Sequence, residues 1–247
     1  MEQELLKKKF KELEDFVGTD DTTGEVNKLS VLASKRETHL NSFVLLSSVK
    51  PIIGTALVIN WEFTKLAKPR IDRFMELFPE IDSIKKLYSV ILGTDPKLFL
   101  TKYLNINSDR PERNPKYVLL KTLCEAFLEY QKEIKINNEI KLLKYWATHV
   151  DLERLKDDPI GKYKGIGIGT IQNIILSMGI PAVKPDRHVI NSIKNYFGIT
   201  IKTSEYPKVA RLLGVSDFYF DKVLFEYSRN IAKTNKGQKT NHKCDND

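Results

Sequence analysis

Apolar positions recur along this chain at the three-and-four spacing of helix faces, interrupted by prolines and short polar runs. Residues 2–17 place Leu5, Leu6, Phe10, Leu13 and Val17 on one side, and the polar run Gly18 to Gly24 ends that segment. A second helix is expected over about 37–49, through Leu40, Phe43, Val44 and Leu46. Prolines 51, 69, 96 and 115 each stand just ahead of an apolar-periodic stretch, where a missing N–H costs nothing, and Asp95 and Asn114 are good caps for the last two. They predict helices over roughly 51–66, 69–78, 96–104 and 115–131, with another over 81–92 through Ile84, Leu87, Tyr88 and Ile91. Residues 132–150 read as one more helix or a pair, and 151–156 as a turn. Beyond residue 186 come an extended piece at Ile199-Thr200-Ile201, a helix near 206–213 and a longer one near 216–232. No stretch alternates with period two for long enough to make a sheet, so the expected fold class is all-α, without internal repeats.

The stretch Tyr163 to Asn191, YKGIGIGTIQNIILSMGIPAVKPDRHVIN, carries the chemistry. A glycine turn, Gly165-Ile166-Gly167-Ile168-Gly169-Thr170, runs straight into apolar residues at Ile171, Ile174, Ile175 and Met178, so the turn opens a helix. A dinucleotide fingerprint fits poorly, because position 170 is threonine and the run Asp157 to Lys164 is not a strand. A P-loop fails, because no lysine precedes Thr170. The remaining reading is a hairpin between two helices, the first short, with Asp158 as N-cap and Pro159 at its first position. Such a hairpin aims backbone N–H groups outward beside a positive helix end, which suits a phosphate oxygen. After Gly179, Pro181 and Pro185 comes Asp186, at or near the start of another amphipathic helix through Val189, Ile190, Ile193 and Phe197.

These residues resemble the helix-hairpin-helix DNA glycosylase superfamily, HhH-GPD, of the endonuclease III-like kind. Gly165-Ile166-Gly167 is similar to the hairpin, Gly179, Pro181 and Pro185 to the Gly/Pro loop, and Asp186 to the family's carboxylate, with His188 two residues beyond it. The likeness is close over about thirty residues; elsewhere only the helical rhythm and Leu45-Leu46-Ser47-Ser48 agree. It implies two helical lobes: a six-helix-barrel-like lobe over about 41–180 ending in the hairpin, and a second from 1–40 with 181–232; the run from Lys233, which has no apolar face, reads separately as a disordered tail over 233–247. It further implies a monomer acting on double-stranded DNA, with Gly165, Ile166, Gly167, Ile168, Gly169 and Thr170, and also Arg187 and His188, at the DNA. Members that also cut the backbone carry a lysine where this chain has Gly169, so the resemblance implies a hydrolytic enzyme. Members that fill the vacated base position often have glutamine where this chain has Val49, and the plug stays unassigned.

Cleaving a base from its sugar passes through an oxocarbenium-like state, which a carboxylate near C1′ stabilises while it orients or deprotonates water. Asp186 is the candidate, with helix capping as its alternative role. A lyase needs an amine, and Lys162, Lys164 and Lys184 are the nearby lysines. Trp61, Tyr103, Trp146 and Tyr163 are candidate walls for an everted base, or else core residues. Arg110 and Arg113 lie in the loop Asn105 to Asn114, where they would touch a phosphate or be solvated. A helix-hairpin-helix also serves as a phosphate grip in proteins with no catalytic role, which is the rival reading, followed by a bifunctional glycosylase/lyase using an atypical lysine.

Composition narrows the field further. At 247 residues and 41% apolar content the chain can bury a core, and its formal charge of +8 with a pI near 9.2 favours a polyanion partner. No apolar run approaches a membrane span, and MEQELLKKKFKELEDF is a charged amphipathic start, so an intracellular protein is expected. Two cysteines, Cys124 and Cys244, are too few for an iron–sulfur cluster, and no metal-ligand spacing occurs. No cofactor is implied.

Overall fold

A computed structural model describes residues 3–20, 23–41, 47–59, 61, 63–184 and 187–241. The described chain is mostly helical, and none of its helices is long and apolar enough to cross a membrane. It divides into two compact units, Met1–Phe43 with Pro181–Asp247, and Val44–Ile180.

The second unit is built around α3 (Val49–Leu57), in which Val49 and every residue from Pro51 to Leu57 are buried. A helix apolar all round must be wrapped on all sides. The flanking helices are α4 (Lys68–Leu77), α5 (Ile84–Gly93), α6 (Pro96–Leu104), α7 (Pro115–Ile134), α8 (Glu139–His149) and α9 (Ile168–Ser177), of which α4, α5, α7 and α9 pack against α3. Polar caps set the starts: Ser83, Asp95, Asn114 and Asn138 each accept a hydrogen bond from the first turn of the helix that follows. The helix expected over 51–66 is shorter, because a five-residue π-helical turn at Phe63–Ala67 leads the chain into α4. Glu139 ties this unit together. Its carboxylate accepts from Ile84 N at 2.7 Å, Lys85 N at 3.1 Å and Ser48 Oγ at 2.5 Å, so the start of α8 closes the start of α5 and holds the residue ahead of α3.

The first unit is organised by α12 (Asp217–Asn241), which packs along α2 (Leu29–Asn41) and α10 (Arg187–Ser192). Its core joins Leu6, Phe10 and Leu13 of α1 (Gln3–Glu14) to Val209 and Ala210 of α11 (Tyr206–Leu213) and to Phe220, Val223 and Leu224 of α12. Arg36 reaches the buried Glu226 carboxylate at 2.7 Å, linking α2 to α12.

Three differences from the sequence reading stand out. The polar run after α1 holds a small antiparallel hairpin, β1 (Val17–Thr19) with β2 (Val26–Lys28), paired Val17 to Lys28 and Thr19 to Val26. Three-residue strands are too short to show an alternating pattern. Asn230 of α12 accepts Thr19 N at 3.1 Å, and a Cβ on Gly18 would lie 2.5 Å from its amide nitrogen, so a side chain there would have to displace Asn230. Secondly, α2 starts at Leu29 rather than near 37; residues 42–46, including Leu45 and Leu46, lie outside the described residues. Thirdly, α12 continues past Lys233 to Asn241, so much of the expected disordered tail is helical. Helix propagation from a packed segment adds a hydrogen bond for each residue fixed and needs no apolar face. Residues 242–247, with Cys244, lie outside the description.

Removing the Glu139 carboxylate leaves two helix-terminal N–H groups unanswered. Glu139→Ala is expected to cost about 2 kcal/mol, and Glu139→Gln clearly less because its amide oxygen still accepts. Thermal unfolding followed by circular dichroism checks the order; equal loss in both variants would contradict it.

Candidate functional site

Between α8 and α9 the backbone turns repeatedly, and a buried carboxylate fixes those turns. Asp158 is 8% exposed, and its Oδ1 accepts Ile160 N at 2.9 Å and Gly161 N at 2.7 Å. The indole Nε1 of Trp146, itself 1% exposed on α8, donates to both carboxylate oxygens at 3.2 Å. Asp158 thus caps the turn ahead of Pro159, as expected, although that first helix is a single turn closed by Lys162 N to Asp158 O at 3.0 Å. The chain bends away too soon for a second turn. Tyr163 N donates to Ile160 O and Ile166 N to Tyr163 O, and Gly165 takes φ +92°, which strains any residue with a Cβ.

Tyr163 donates its hydroxyl to Glu129 of α7, tying the bend to that helix. Burial, reinforced by this carboxylate, pushes the phenol up to about 12, so Tyr163 is a neutral donor at ordinary pH and not a base. Ile160 and Ile166 are buried, with Ile171, Ile174 and Ile175 of α9. Ile166, one of the six residues expected to face DNA, is therefore buried, and its N–H is taken by Tyr163 O.

The other face of the turn is open. A Cβ built on Gly165, Gly167 or Gly169 would meet nothing within 4 Å. Gly167 is the N-cap of α9 and brings no side chain to the helix end, and the first intrahelical bond is Ile171 N to Gly167 O at 3.0 Å. The N–H groups of Ile168, Gly169 and Thr170 therefore have no acceptor among the described residues. Three such donors at the positive end of a helix, beside glycines with open space around them, are an arrangement that can receive an anion.

After α9, Gly179 at φ +76° lets Ile180 N return to Ile175 O, ending the helix before Pro181. Ala182 and Val183 are buried in the first unit, and Lys184 N donates to the buried Asp221 carboxylate of α12 at 2.8 Å. Pro185 and Asp186, the candidate acid, lie outside the described residues, as does the side chain of Arg187. His188 is half-buried, with Nδ1 3.1 Å from Ser228 Oγ and its ring edge-on to Phe225 at 5.4 Å. That ring belongs to the packing between α10 and α12.

The candidate base walls divide. Trp146 is core, packed edge-on against Phe127 at 5.1 Å and bonded to Asp158. Tyr103 sits half-buried in a row with Phe78 and Phe99. Trp61 is half-exposed, with the Lys116 ammonium 4.1 Å and the Arg70 guanidinium 4.7 Å from its ring centroid. Burial, and then Arg70, pull the Lys116 ammonium below the ordinary lysine value, but its Nζ is engaged by Ile59 O. Lys162 and Lys164 are exposed, as are Arg110 and Arg113. Cys124 is buried in α7, and burial pushes its thiol up, which suits packing and not nucleophilic attack. Among the described residues no three His, Cys, Asp or Glu side chains gather as metal ligands. Sequence reading missed Glu129, Asp221, Phe225 and Ser228, and nothing local marks them, because each acts on a segment at least 34 residues away in the chain.

Two glycines in one turn should respond oppositely to alanine. Gly165→Ala, at φ +92°, is expected to lower stability by about 1–2 kcal/mol. Gly169→Ala, in the first turn of α9 with open space around it, is expected to be neutral or stabilising by up to about 1 kcal/mol. Urea melts of the two variants decide this, and a stabilised Gly165→Ala would show that the bend is built otherwise.

Comparison of the chain with protein-family models, with curated proteins and with solved structures gives no match.

Proposed function

We propose that this protein is a DNA glycosylase of the helix-hairpin-helix kind, which hydrolyses the N-glycosidic bond of a damaged or mismatched base and leaves an abasic site. The single observation that carries the reading is the open glycine turn ahead of α9, with three N–H donors that have no acceptor among the described residues and nothing within 4 Å of where a Cβ on its glycines would stand. A phosphate of double-stranded DNA is the ligand such a cradle fits, and the chain's charge of +8 favours that approach.

In this reading the cradle holds a phosphate beside the target nucleotide, whose base is turned out of the stack. The Asp186 carboxylate stabilises the positive charge that develops on the sugar as the C1′–N bond breaks and its electron pair leaves with the base. Water adds to C1′ and gives its proton to Asp186. No amine is needed. The position that would supply one is Gly169, and that favours hydrolysis over lyase chemistry.

Duplex oligonucleotides carrying uracil, oxidised, alkylated or mismatched bases provide the test. Wild type is expected to generate strand breaks on at least one of them only after alkali, and Asp186→Asn to slow that reaction by about a hundredfold or more with DNA affinity retained. Breaks without alkali would mean a lyase. Tight binding with no excision on any duplex, unchanged in Asp186→Asn, would leave a phosphate grip and end the enzymatic reading.

A further inference from the structure

Two cations stand on one half-exposed indole. Lys116 Nζ lies 4.1 Å and the Arg70 guanidinium 4.7 Å from the ring centroid of Trp61, and neither meets a carboxylate among the described residues. Lys116 is only 5% exposed, and its ammonium donates to Ile59 O. Arg70 gives Nε to Asn105 O at 3.2 Å and Nη1 to Leu66 O at 2.9 Å, while its Nη2 has no acceptor among the described residues. Arg73, further along α4, is held in the same way by Lys102 O at 3.3 Å, and the neighbouring Asp72 is taken by Lys68. Main-chain carbonyls and an aromatic face orient a cation without cancelling its charge. Buried charges are ordinarily paired, and two adjacent cations repel, so this grouping costs the free protein stability. The loop that opens at Asn105 and runs into α7 just ahead of Lys116 adds Arg110 and Arg113, both exposed; Asp109 and Glu112 of that loop form no ion pair with any of these cations.

We propose that the face around Trp61 is a second DNA contact, apart from the glycine turn, in which Arg70 Nη2 meets a backbone phosphate beside Trp61 and Arg113 extends the track. An acceptor bearing negative charge is what the grouping lacks, and aromatic rings set among cations suit a nucleic-acid strand. Lys116 acts there through its charge, since its donor is engaged. This rests on DNA being the partner and not on excision.

Fluorescence and salt-dependent binding of duplex to the full chain test it. Of the two tryptophans Trp146 is buried, so duplex is expected to change the emission of wild type and to leave that of Trp61→Phe unchanged. Arg70→Gln is expected to weaken binding about fivefold and to lower the slope of log affinity against log salt by about one, the loss of one phosphate contact, with excision of bound duplex unchanged. Lys132→Gln, about four turns further along α7, should keep the wild-type slope. If Arg70→Gln fails to fold, Arg113→Gln, at an exposed side chain, takes its place with the same expected loss. An excising wild type whose affinity and slope survive the substitution, or fall equally in Lys132→Gln, overturns this inference alone, as does emission that answers phosphatidylserine vesicles and not duplex. Binding that depends on Arg70, with no base excised from any duplex, supports this contact and counts against the glycosylase reading. A wild type that binds no duplex overturns both.

Discussion

The bend between α8 and α9 depends on one buried carboxylate. Asp158 lies out of water with three N–H donors around it, two from the backbone that follows and one from the Trp146 indole. An ionised carboxylate would not be tolerated at that depth without them, and those backbone groups would have no partner without the carboxylate. The two requirements answer each other, and the turn from Asp158 to Lys162 is their joint solution. Trp146 matters twice, because its ring packs against Phe127 while its nitrogen orients the aspartate. The position of the open glycine bend is thus inherited from the core of α7 and α8, although its sequence looks like a flexible loop.

The back of the bend is packed while its front is open, an arrangement that suits the proposed phosphate contact. Ile160 and Ile166 pull the back of the bend into the core, Tyr163 is held by Glu129, and the N-terminus of α9 is left uncapped. A serine or aspartate in place of Gly167 would answer those N–H groups internally and stabilise the helix. Leaving them without an acceptor among the described residues costs stability, and in the proposed function these are the donors that meet a phosphate.

Much of this was legible in the sequence wherever the cause is local. Prolines 69, 96 and 115, with Asp95 and Asn114 as caps, mark helix starts to within a residue, and the apolar spacing from Ile171 finds the buried face of α9. Asp158 and Pro159 likewise announce their turn. Legibility fails where the cause is remote. The β1–β2 hairpin depends on Asn230, some two hundred residues away, and the helical continuation to Asn241 on propagation out of a packed segment. In the candidate site the turn is visible because glycine spacing is a local signal, whereas the grip of Asp221 on Lys184 leaves no trace in the residues around either.

The three glycines of the bend do not have the same explanation. Gly165 is demanded by its φ of +92°, a conformation that excludes side chains for intramolecular reasons. Gly167 takes φ −122°, which any residue adopts, and Gly169 sits in the first turn of α9, where alanine would be favoured by up to about 1 kcal/mol. Neither has a neighbour within 4 Å of where a Cβ would stand. Backbone geometry and internal packing therefore give no reason for glycine at 167 or 169. A reason does exist if something outside the chain comes close to the backbone there, because a Cβ would then stand between that molecule and the exposed N–H groups. The fold thus accounts for one glycine of the three, and for the other two the proposed DNA strand, reaching the bare main chain, would supply the reason.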